Sequence, residues 1–181
     1  MKPVLERAMI GPSGEPRDWE PRLTAPAGAV VGSAARDVPY VFLAILWLGA
    51  LLGVSFIATP VKFQAPSLSL PIALEVGRVT FALFTRIEWG LVALLGASIA
   101  FGSRHRGRWL GWLFLVAVLA AETFWLLPVL DARVGTIIAG GQIAGTSDHL
   151  LYVAAESAKA LLLLGLSLTG LMQLAGRGGR G

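Results

Sequence analysis

Four stretches of this sequence are too long and too apolar for the rest of the chain to cover them. They lie at about 39–58, 79–101, 109–130 and 149–174. A bilayer's hydrocarbon core is about 30 Å thick and offers the backbone no water, so a chain crosses it as an α-helix of about 20 predominantly apolar residues. The runs meet that length, and in a chain of 181 residues they leave no room for a separate soluble catalytic domain. Charged residues make up 14% of the chain, well under the roughly 25% of soluble domains, so the lipid bilayer is the expected solvent. The fold expected is all-α: a polytopic membrane four-helix bundle over residues 39–175, with an even number of spans and both termini cytoplasmic.

Residues 1–38 hold Pro3, Pro12, Pro16, Pro21 and Pro26 with ten charged residues. They have no apolar run of signal-peptide length and read as a disordered cytoplasmic extension, as do residues 176–181. Thr59, Pro60 and Lys62 should end the first span. Ser69 is a plausible N-cap with Pro71 in the first turn, and no strong breaker follows until Gly102. A helix of about thirty residues is about 45 Å long, which puts Glu75 and Arg78 at the outer interface. Pro128 should loosen the end of the third span. Residues 131–147 read as a glycine-rich connection with room for one short helix, and Thr146, Ser147 or Asp148 as the N-cap of the fourth span.

Orientation follows from arginine. The connection between spans two and three carries Arg104, Arg106 and Arg108, and Arg36, Arg177 and Arg180 fall on the same side. The other connections hold Lys62 and Arg78, and Arg133. The positive-inside rule then places the arginine loop and both termini in the cytoplasm. Richness in Gly, Ala and Arg points to a GC-rich bacterium and thus to the cytoplasmic (inner) membrane. The net charge of +4 is spread over tails and loops, so topology explains it and no nucleic-acid partner is expected. Cysteine is absent and His105 and His149 stand alone, so neither a metal site nor a cofactor is expected.

Arg86, Glu88, Glu122, Glu156 and Lys159 fall inside the spans, where a central charge costs about 2.5 to 3.5 kcal/mol on insertion scales. All five count to the outer half of the membrane, roughly 9 to 14 Å deep at helical rise. On span two Glu75, Arg78, Arg86 and Trp89 share a stripe that continues in small residues, while Glu88 points nearly opposite Arg86, toward another subunit. On span four His149, Tyr152 and Glu156 share a face, with Lys159 flanking it. If the faces converge, two cations meet three carboxylates. A carboxyl buried beside like charge tends to keep its proton, which makes Glu122 the candidate proton carrier. Glu156 is the expected centre of the cluster, paired with Lys159 at i+3. The bland alternative is that the pairs only fix helix register. Asp131 and Arg133 join Glu75, Arg78, His149 and Tyr152 as polar residues of the outer interface, where a solvated His149 is the simpler reading than a ligand.

No phosphate loop, His-Glu-x-x-His or Gly-x-Ser-x-Gly motif is present, which argues against an enzyme. A membrane enzyme using Glu122, Glu156 and His149 as acid–base groups is the least favoured reading. The leading one is a small transport or export component with a polar site in the outer half of the membrane, working as a homo-oligomer or with partners. Its rival is a non-catalytic accessory or assembly subunit of a larger membrane complex.

The stretch from Gly49 to Phe63, followed by Val76 to Phe81, resembles the transmembrane protein 205-like family of four-helix membrane proteins. Leu130 to Arg133, and Ser147 to His149 leading into Tyr152, Glu156 and Lys159, extend the resemblance over about half the chain. It implies four helices and membrane residence, with a loose link to export of drugs or metal compounds. It implies no catalytic residue. The proline-rich start departs from the compact family pattern.

Overall fold

The computed structural model describes the backbone of residues 27–102, 105–141 and 148–178. Four helices account for nearly all of them, each long and apolar enough to cross a membrane. Helix α1 runs through Ala27–Leu51, a π-helical segment Leu52–Ala58 and a last turn Thr59–Lys62. Helix α2 is Leu70–Phe101. Helix α3 comprises Arg106–Ala121, a second π-helical segment Glu122–Leu126, and Leu127–Ile138. Helix α4 is Asp148–Gly178. Among the described residues there is no strand.

These bounds correct several expectations. Residues 27–38, assigned above to a disordered extension, are helical and carry α1 straight through Pro39. The four alanines of this segment favour a helix while its two glycines and three valines do not, so local propensity leaves the segment undecided. Residues 1–26 of that extension, the tail beyond 178, Ser103 with Arg104, and the caps at Thr146 and Ser147 lie outside the described residues.

Pro60 and Pro128 were expected to stop or loosen their helices, yet both helices continue past them. The reason is the same at each. A helical proline lacks an N–H and presses on the carbonyl four residues back. Here the residue just before each proline bonds five residues back, Thr59 N–H to the Val54 carbonyl and Leu127 N–H to the Glu122 carbonyl. The widened turn relieves the ring. The Thr59 hydroxyl donates to the same Val54 carbonyl at 2.9 Å. As a result residues 131–138, read above as part of the connection, belong to α3. That helix ends at Gly140, whose φ of 81° suits glycine. Gly140 and Gly141 donate to the carbonyls of Ile137 and Thr136, the paired bonds of a Schellman motif.

The helices form a ring. Helix α1 packs most extensively on α4 and then on α2, and α3 closes the bundle against α2 and α4. Trp47 and Leu51 of α1, Leu95 of α2, Leu115 of α3 and Leu163 of α4 are completely buried. The outside is apolar too: Phe42, Leu83, Leu113, Phe124 and Leu161 are exposed. A soluble bundle turns polar residues outward, so this surface fits a bilayer. The end of the bundle that holds Lys62, Leu70 and Ile138 is called the distal end, and the end that holds Phe101 and Arg106 the tail end.

Where α2 meets α3, the Trp112 indole donates to the Val92 carbonyl at 2.8 Å. A Cβ at Gly96 would come within 2.8 Å of that indole, whereas Gly90 has open space. Overpacking a tight contact costs about 1 to 3 kcal/mol. Gly96→Ala should therefore lower the melting temperature of the purified protein, while Gly90→Ala should leave it unchanged or raise it through helix propensity. Equal melting of the two variants would disprove the close α2–α3 approach.

Candidate functional site

At one level of the bundle every helix contributes a polar group. Lys159 of α4 is wholly buried, and its ammonium lies 2.9 and 3.1 Å from the two oxygens of Glu88 on α2. It also lies 2.6 Å from Glu122 Oε2 on α3 and 2.8 Å from Glu156 Oε1, one turn back on its own helix. Helix α1 supplies two donors. The Trp47 indole reaches Glu88 Oε1 and the Ser55 hydroxyl reaches Glu156 Oε2, both at 2.9 Å.

Three carboxylates against one ammonium leave a formal charge of −2 at a site where all four side chains are almost fully shielded. Two carboxylate oxygens, Glu122 Oε1 and Glu156 Oε1, are buried and receive no hydrogen bond. Glu156 Oε1 forms an ion pair with the ammonium at 2.8 Å without hydrogen-bond geometry. Ligand atoms of the three glutamates lie within 4.8 Å of one another, a spacing that suits a bound cation. The lysine supplies the resident positive charge.

Four of the five intramembrane residues singled out from sequence thus meet, and Arg86 does not. Arg86 is exposed on the outside of α2, and Glu88, expected to face another subunit, is the inward member of the pair. The buried face of α2 runs through Gly77, Phe84, Glu88, Leu91, Leu95 and Ile99, so Arg86 faces outward with Ala82, Ala93, Ala97 and Ala100, while Gly96 of the same stripe is buried against α3. The cause lies in the partner: the lysine in α4 sits where it can neutralise Glu88, and the bulky apolar residues on the same face fill the core. The formal charge becomes −2 in place of −1. The hub is Lys159, with Glu156 as one of three carboxylates around it.

The outer-interface residues gather around a cavity of about 660 Å³ at the distal end. Arg78, Asp131, Arg133, His149 and Tyr152 line it together with Lys62, and Glu156 reaches its wall. Arg78 and Asp131 are 3.9 Å apart and both substantially exposed, a pair worth little by itself. The Tyr152 ring is buried, edge-on to Phe81 at 5.1 Å. His149 is exposed, in keeping with the solvated reading, and so is Glu75, which does not line the cavity.

A second buried polar group at the tail end escaped sequence reasoning. Arg108 of α3 donates to Asp37 of α1 and to Gln173 of α4, both at 2.6 Å, and its guanidinium lies 4.3 Å from the centre of the Tyr40 ring. Charge had placed Asp37 in the extension and Arg108 in the cytoplasmic loop. The recoverable signals are the amide Gln173 in the apolar stretch that ends α4 and Tyr40 close to Asp37. Trp47 and Ser55, also missed, lie eight residues apart on α1, about 80° apart around a regular helix, so spacing alone does not pair them.

Comparison with protein-family models, curated proteins and solved structures returns no match.

Removing one partner of a buried charge pair costs about 3 to 5 kcal/mol, but only where nothing replaces it. Lys159→Gln strands three carboxylates and should melt far below wild type. Glu156→Gln leaves the ammonium with Glu88 and Glu122, so it should melt close to wild type. Thermal unfolding in detergent decides this; a Lys159→Gln protein as stable as wild type would show that the carboxylates are already neutral without it. At the tail end Arg108→Gln should also lower the melting temperature, because it removes the bridge that ties α3 to Asp37 and Gln173.

Proposed function

We propose that the protein is a small transport component of a bacterial cytoplasmic membrane, with both termini in the cytoplasm and the distal cavity facing outward. The carboxylates around Lys159 are its ion-binding centre, exchanging protons with the outside. One observation carries this reading: Glu156 belongs both to the buried cluster and to the wall of the cavity. Burying net charge in a low dielectric is expensive, and a formal −2 is most cheaply neutralised by protons. Glu122 Oε1, buried and without a hydrogen-bond partner, is a place for one of them. A proton taken from the cavity by Glu156 can pass to Glu122 across the Lys159 ammonium, which keeps the remaining negative charge compensated. The four-helix plan supports the resemblance to transmembrane protein 205-like proteins, which we keep as part of the proposal.

Proton binding at this depth moves charge within the membrane field. Vesicles carrying the protein on a solid-supported membrane should give a transient current after a pH jump, and Glu156→Gln should remove most of it without loss of fold. A wild-type protein that gives no more current than empty vesicles would falsify the reading. Orientation is checked separately. The chain has no cysteine, so a single cysteine at Gly140 should react with an impermeant thiol reagent in intact cells, while one at Gly107 should be protected. The reverse pattern turns the cavity to the cytoplasm.

A second reading, docking to further subunits, has its own support. Arg86 lies on the lipid-facing side of α2 with no ion-pair partner among the described residues. Gly49 and Gly53 of α1, four residues apart, both adjoin open space, a spacing that lets helix backbones approach closely in membranes. A homo-oligomer joined along α1 satisfies both this reading and the transport one. Native mass spectrometry should show Gly49→Leu shifting the protein toward monomer, and an unchanged distribution excludes α1 as the seam.

A further inference from the structure

The distal cavity has a feature that the proton chemistry does not use. Its walls are largely apolar, with Phe56, Phe63, Phe81, Leu127, Leu130 and Ile137 among them. Its carboxylates are already engaged, Asp131 with Arg78 and Glu156 with Lys159 and Ser55. Lys62 is different. Its ammonium lines the same cavity and makes no ion pair or side-chain hydrogen bond among the described residues. It sits 5.0 Å from the centre of the Phe63 ring and 5.7 Å from that of Phe81.

That position is built by the fold. Gly77 on α2 has no side chain, and a Cβ there would overlap the Lys62 ammonium. The lysine is therefore folded inward against α2 in space that any other residue at 77 would take. A flexible lysine near a membrane surface ordinarily extends into water. Holding it over two aromatic rings, in a cavity within the 300 to 1,000 Å³ range of small-molecule sites, presents the Lys62 charge to whatever enters.

We propose that the cavity binds an amphipathic organic anion, its negative group received by the Lys62 ammonium and its apolar body by the phenyl rings. The proposal names the substrate class for the transport reading and rests on it for any movement across the membrane; binding itself does not. A free carboxylate or sulfonate and the anionic headgroup of a lipid share this chemistry.

The test uses the full chain in nanodiscs of phosphatidylcholine, titrated calorimetrically with 2-naphthalenesulfonate, with empty nanodiscs subtracted. The matched cation, (2-naphthylmethyl)trimethylammonium, is the control. The sulfonate should bind saturably and the cation should not. Lys62→Gln should weaken the sulfonate about tenfold or more, on the scale of losing one hydrogen bond to a charged group. Gly77→Ala, which improves helix propensity and should not harm folding, should weaken it comparably by displacing the ammonium. Absence of saturable binding, equal binding of the cation, or full affinity in both variants overturns the proposal. Replacing half the lipid with phosphatidylglycerol separates the sources. Competition against the sulfonate identifies a lipid headgroup as the natural occupant, and unchanged affinity identifies a free anion. Loss of sulfonate binding with the pH-jump current intact refutes this inference alone, and the opposite result refutes proton exchange alone.

Discussion

An ammonium group held among three carboxylates in a medium that solvates none of them governs the rest of this bundle. In the interior of a membrane protein the attraction between unlike charges and the penalty for leaving one uncompensated both grow as the dielectric falls. Lys159 draws Glu88, Glu122 and Glu156 to one point, and those residues come from α2, α3 and α4. Trp47 and Ser55 attach α1 to the same carboxylates. Sliding or rotating any helix would separate a carboxylate from its compensation. Apolar packing against lipid, which is as greasy as the helix surfaces themselves, has no comparable power to choose a register.

The two widened turns stand next to this point. Glu122 opens the π-helical segment of α3 and Ser55 lies within that of α1. Each wide turn inserts one residue relative to the regular ladder, so everything beyond it is rotated by about 100°. In α1 the rotation comes between Trp47 and Lys62, which lets one helix aim an indole at the cluster and an ammonium at the cavity. Such bulges are frequent at functional sites, and here each is coupled to a proline that the helix absorbs without stopping.

Those bulges also explain which parts of the molecule could be read from the sequence. Four helices were legible because span length is fixed by membrane thickness, and the Glu156–Lys159 pair because i+3 neighbours touch on any helix. Helix ends at Pro60 and Pro128 were misjudged because a π turn leaves no mark in the residue types. Arg86 and Glu88 are two residues apart, so helical geometry turns one inward and one outward but does not say which. That choice was made by Lys159, more than seventy residues away in sequence. Asp37 and Arg108 were read as solvated because each alone is a charge near a tail or loop. Their pairing at 2.6 Å is a property of α1 and α3 meeting, invisible in either segment.

The two polar centres are separated by a dry layer. Gln173 stands fourteen residues beyond Lys159 on α4, about 21 Å at helical rise, and at these levels Leu95, Leu115 and Leu163 are fully buried. Ser167 lies in this stretch with its hydroxyl tied back to the Leu163 carbonyl at 2.7 Å, so it offers no free donor to a passing ion. Among the described residues the cavity lies toward the distal end, and at the tail end Arg108 bridges Asp37 and Gln173. A bundle arranged in this way gives its buried carboxylates one-sided access. Under the transport reading this conformation faces the cavity side, and passage to the other side requires the leucine layer to part and the Arg108 bridge to break. The leucine layer joins α2, α3 and α4, and the Arg108 bridge ties α3 to α1 and α4, so the movement that opens the tail end is a displacement of α3, the helix that carries both Leu115 and the bridging arginine.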